Sequence, residues 1–66
     1  MKNTQETLNY LQQEFISNKR MARYWSSLAL QEEDMRHWKK ASQFDDVASM
    51  YSERADSCAH TYAFIK

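Results

Sequence analysis

Cys58 is the chain's single thiol, and His60 follows it by two residues. A catalytic cysteine needs a neighbouring base or a positive field to form thiolate. On a helix, two residues turn a side chain through about 200°, so His60 points away from Cys58. Cys58 recurs instead with Ala55 and Tyr62 at helical spacing, which marks it as a small apolar filler. Asp34-x-x-His37 has the spacing that di-iron bundles build from Glu-x-x-His, and Glu33 stands four residues before His37. One chain carries only one such motif, and its acids read as solvent-facing. The expected reading is a solvated charge cluster, with Glu32 and Arg36 as a helical pair and His60 beside Asp56. One cysteine and two histidines also fall short of a closed zinc site. No catalytic residue, metal ligand or cofactor is assigned, and no enzyme activity is expected.

Two basic trios have a spacing suited to phosphate. Lys19, Arg20 and Arg23 cluster over one helical turn beside Tyr24, and Arg36, Lys39 and Lys40 cluster beside Trp38. Cations next to a stacking ring are the ingredients of single-strand binding. Glu32, Glu33 and Asp34 interrupt them, and no glycine-containing helix-turn-helix is present. These six are the candidate nucleic-acid contacts, as the alternative to a protein-binding role. The basic residues do not line a single polar face, so no membrane-surface helix is expected.

The elements that position these groups follow from what the chain lacks. It has 66 residues and neither glycine nor proline, where average usage would supply about eight of the two together. Without them there is no inexpensive sharp turn or helix stop, so long helices with few reversals are expected. Asn3 and Glu6 fit a helix start. From there Leu8, Leu11, Phe15, Ala22, Trp25 and Ala29 share one face, with Asn18 as a polar residue in the seam. Such a residue sets register or oligomer state, or marks a break with Ser17. A second stripe of Tyr24, Leu28, Met35 and Trp38 widens the apolar arc, which suggests two neighbours rather than one. Lys39 and Lys40 suit a helix C-terminus, and Ser42 with Asp45 reads as the next capping box, Asp46 adding charge there. The second helix then carries Phe44, Ala48, Tyr51, Ala55, Cys58, Tyr62 and Ile65 at alternating steps of four and three.

The sequence therefore predicts one all-α domain over residues 1–66, a helical hairpin of roughly 4–39 and 43–65. A break at Ser17-Asn18 would make it three helices. A chain this short is marginal unless something staples it, and one cysteine excludes an internal disulfide. Hydrophobic residues make up 42% of the chain, more than one or two lone helices can cover. A homo-oligomer is expected, most simply a two-fold dimer forming a helical bundle. Its core and dimer contacts are expected from Leu8, Leu11, Phe15, Trp25, Leu28, Met35, Trp38, Phe44, Tyr51, Cys58 and Tyr62. Surplus aromatic surface, with Met21, Met35 and Met50 as adaptable neighbours, suits a further protein partner. Nine basic and nine acidic residues balance, so generic attraction to polyanions is weak. The apolar runs are too short to span a membrane, and the stretch after Lys2 is no signal peptide. A soluble cytoplasmic protein with a reduced thiol is expected.

In overall length, and in Tyr24-Trp25-Ser26-Ser27 and Leu30-Gln31-Glu32-Glu33-Asp34-Met35, the chain resembles the small helical accessory proteins of lambda-like phages. These are encoded in the early region between exonuclease and excisionase. The resemblance implies a non-enzymatic regulatory oligomer in the host cytoplasm that modulates host physiology or the lysis–lysogeny decision. It implies no functional residue.

Overall fold

A computed structural model describes residues 2–66, with side chains from Thr4 onward. Two helices account for nearly all of it: α1 (Lys2–Asp34) and α2 (Trp38–Ile65), folded into an antiparallel hairpin. No strand occurs among the described residues. The molecule measures 53 × 14 × 11 Å, as expected for a pair of helices whose longer member rises about 50 Å. α1 runs unbroken through Ser17 and Asn18. The Asn18 amide donates to the Glu14 carbonyl at 2.8 Å, one turn back in its own helix, so the polar seam residue is satisfied without a break.

Both helices present the seam as alternating steps of three and four. On α1 the half-buried and buried positions include Leu8, Leu11, Phe15, Asn18, Ala22, Trp25, Ala29 and Glu32. On α2 they include Ala41, Phe44, Ala48, Tyr51, Ala55, Cys58, Tyr62 and Ile65. This is the seven-residue repeat of a two-stranded coil. The buried residues among those described are four alanines: Ala29, Ala41, Ala48 and Ala55. Three of them recur every seven residues along α2, where a side chain of one methyl group lets the facing backbone come close.

The reversal lies at Met35–His37, earlier than the sequence predicts. Arg36 has φ 61°, the left-handed conformation that glycine usually supplies. The His37 amide donates to the Glu32 carbonyl at 2.8 Å, and the Arg36 amide donates to the Glu33 carbonyl at 2.9 Å. That bond pair is the Schellman helix stop, here built on arginine at a steric cost of roughly 1–2 kcal/mol. The predicted turn at Lys40–Gln43 is thus corrected. A turn there would have removed Ala41 from the seam, whereas starting α2 at Trp38 extends the alanine repeat by one step. Ser42, Asp45 and Asp46 are exposed inside α2 and cap nothing. Lys39 and Lys40 fall in the first turn of α2, at the positive end of its dipole rather than at the negative end of α1. α1 already includes Lys2, so Asn3 does not precede the helix, and its side chain lies outside the described residues.

Candidate interaction surface

The hairpin has two long flanks. One is, toward the turn, a groove of small and charged side chains lined by Lys19, Ala22, Arg23, Ser26, Asp45, Ala48, Ser49 and Ser52, and toward the open end an apolar groove lined by Leu11, Gln12, Phe15, Cys58, Ala59 and Tyr62. The other flank is fixed at the open end by Glu14, Arg54 and Thr61, which line a single groove with Leu11 and Cys58. Seven-residue steps from Glu14 reach Met21 and Leu28, and one step back from Arg54 reaches Val47. Just outside these lie Tyr10 and Tyr24 on α1, and Met50 and Phe64 on α2. Tyr24 is 56% exposed and Phe64 90% exposed. Four of the eight large apolar side chains left exposed among the described residues (Tyr10, Tyr24, Met50 and Phe64) therefore belong to this second flank. Ile16 and Leu30 sit on the other side of α1.

Trp25 is the aromatic centre of the seam. Its ring meets Phe44 edge-on at 5.3 Å between centroids and Tyr24 at 5.7 Å. Its Nε1 is buried with no hydrogen-bond partner, an omission that typically costs about 1–3 kcal/mol. Three cations lie over seam rings: Lys19 over Phe15, Arg54 over Tyr51 and Lys66 over Tyr62, at 5.5–5.7 Å. Sequence reading assigned Lys19 to nucleic acid and passed over Arg54 and Lys66. Their signal was present, since a cation three or four residues after a ring stands over it on a helix.

The residues expected in the core divide in two. Leu8, Leu11, Phe15, Trp25, Leu28, Phe44, Tyr51, Cys58 and Tyr62 lie in or beside the seam. Met35 and Trp38 are exposed, because the reversal between them removes both from the stripe that an uninterrupted helix would have formed. Cys58 faces the seam while His60 is exposed. Among the described residues, no three His, Cys, Asp or Glu side chains gather where they would share a metal ion.

At the turn, Glu32 is the organising residue. Its carboxylate meets His37 Nδ1 at 2.7 Å and Lys40 Nζ at 3.8 Å. The expected pair with Arg36 is replaced by these two, since the left-handed turn carries Arg36 off the helical path. The ion pairs among the described residues are both made by Glu32, so the expected Asp56–His60 pair is not formed. The turn-end basic residues Arg36, Lys39 and Lys40 stand among Glu32, Glu33 and Asp34. Lys19, Arg20 and Arg23 are exposed roughly 20 Å away along α1. The two trios do not merge into one basic surface within the hairpin.

No helix among the described residues is long and apolar enough to cross a membrane. No protein-family model, curated protein or solved structure matches this chain.

Proposed function

We propose that this chain is a non-enzymatic helical interaction module that acts as a homo-oligomer, most simply a two-fold dimer, and regulates a protein partner by occupying it. One observation carries the reading. Among the described residues the hairpin buries four alanines while large apolar side chains from Tyr10 to Phe64 remain exposed, which leaves apolar surface outside the seam for other chains to cover. Trp38 at the turn, 63% exposed, is the anchor best placed for a partner of different sequence, because tryptophan is favoured at binding hot spots. The phage resemblance supplies the setting: early infection, in the host cytoplasm, with host physiology or the lysis–lysogeny decision as the regulated process.

Affinity capture from the host followed by mass spectrometry tests the partner, with Trp38→Ala as the comparison. A protein retained by the wild-type chain and lost with Trp38→Ala is the expected result. Equal retention by both removes Trp38 from the reading. A second reading, a small dimeric DNA- or RNA-binding regulator, is favoured by the exposure of Lys19, Arg20 and Arg23 over one turn of α1. Its salt-dependent term would dominate binding, so a mobility shift with random duplex at low salt decides it. Absence of a shift at micromolar protein removes that reading.

A further inference from the structure

We infer that a second copy of this chain covers the flank carrying Met21, Tyr24, Leu28, Val47 and Met50, in a two-fold pairing that leaves the Lys19–Asp45 groove in water. The inference rests on the homo-oligomer reading above and adds which surface.

Area is the first argument. A folded monomer of 7.9 kDa exposes roughly 4,400 Å² by the usual size scaling. This hairpin exposes 5379 Å². The surplus, about 1,000 Å², is close to the ~800 Å² that each partner contributes to a standard interface. A second copy is thus sufficient to remove it, and no larger assembly is required.

Charge pattern is the second. Between Glu14 at the open end and Lys40 at the turn end, the columns of this flank carry Met21, Tyr24, Leu28, Val47 and Met50 and no ionised group. Glu14 precedes Met21 by seven residues and Tyr24 by ten; Lys40 precedes Val47 by seven and Met50 by ten. Because the helices are antiparallel, the acid and the base lie about 10–15 Å from this apolar centre in opposite directions. Arg54 stands beside Glu14 at the open end, so both ends of the flank are charged and the uncharged centre between them is the part that a second copy covers. At its middle the opposite flank offers a second copy small and ionised side chains, including Lys19, Asp45, Ser49 and Ser52, which are types depleted at interface centres.

Sedimentation equilibrium of the full chain over a hundredfold concentration range tests this, with circular dichroism of every variant. Tyr24→Glu and Met50→Glu place a charge at exposed positions of the hairpin and are expected to raise the dimer dissociation constant at least tenfold. Arg23→Glu and Ser49→Glu, on the other flank, should leave it within about twofold. Cross-linking supplies a readout independent of helix content. In a Cys58→Ser background, Tyr24→Cys should give covalent dimers on mild oxidation and Ser49→Cys should not. If Tyr24→Glu and Met50→Glu still dimerise with wild-type affinity, or if Ser49→Cys cross-links in place of Tyr24→Cys, the flank assignment fails while the homo-oligomer stands. A wild-type chain that sediments at the mass of one copy throughout overturns both.

Discussion

Arg36 holds a backbone conformation for which its side chain is ill suited, and that makes it the residue most open to improvement. Glycine at this position keeps both Schellman bonds and removes the clash of Cβ with the carbonyl. Arg36→Gly should therefore stabilise the hairpin by up to about 1 kcal/mol, raising the melting temperature by roughly 4–8 °C at fixed protein concentration. Thermal unfolding followed by circular dichroism measures it directly. Trp25 has a different problem. Truncating it to alanine removes the Phe44 contact and opens a void, at an expected cost of about 3–5 kcal/mol. Trp25→Phe keeps a ring and eliminates the buried, unpartnered Nε1–H, so its cost should fall below about 1.5 kcal/mol. Urea denaturation of the pair separates volume from the polar penalty; equal losses would show that the indole N–H is solvated.

Along α2, the alanines at 41, 48 and 55 decide how near α1 can come. Ala55 is fully buried, so Ala55→Leu must push the helices apart or leave its rotamer, at an expected cost of at least about 1–3 kcal/mol. Ala63→Leu, on the exposed side of the same helix, should change stability by less than about 0.5 kcal/mol. Chemical denaturation of both variants checks the contrast. These helices were largely legible in the sequence, because seven-residue recurrence and the absence of Gly and Pro leave few alternatives. The reversal was not. Ser42-Asp45 offered good local capping chemistry, and Lys39-Lys40 offered good dipole chemistry, yet each contributes only about a kcal/mol. Keeping Ala41 in the seam outweighed them and placed the stop on a residue that carries no turn signal. The same misplacement explains why Trp38 was read as a continuation of the Tyr24–Leu28 stripe. The flank of Met21, Leu28 and Val47 was half legible: its α1 column was visible, but its union with Val47 and Met50 depends on where the chain reverses.

As a body, the hairpin is long and thin, and the proposed pairing with a second copy makes its stability depend on association. A chain stabilised by a second copy melts at a temperature that depends on its own concentration. Hundredfold dilution should lower the midpoint by several degrees, and an unchanged midpoint would mark the single hairpin as self-sufficient. The tight reversal at Met35–His37 also orders how the two helices find each other. Every cross-helix contact encloses a loop whose length grows steadily from that point toward the chain ends, and closure entropy rises with it. Pairing next to Ala29 and Ala41 closes the shortest loops, so the coil zips outward and reaches Leu8 and Tyr62 last. Substitutions near the reversal should then slow refolding, and those at the far end should chiefly hasten unfolding. Stopped-flow traces of Ala41→Gly and Leu8→Ala would read that polarity as opposite limbs of the chevron.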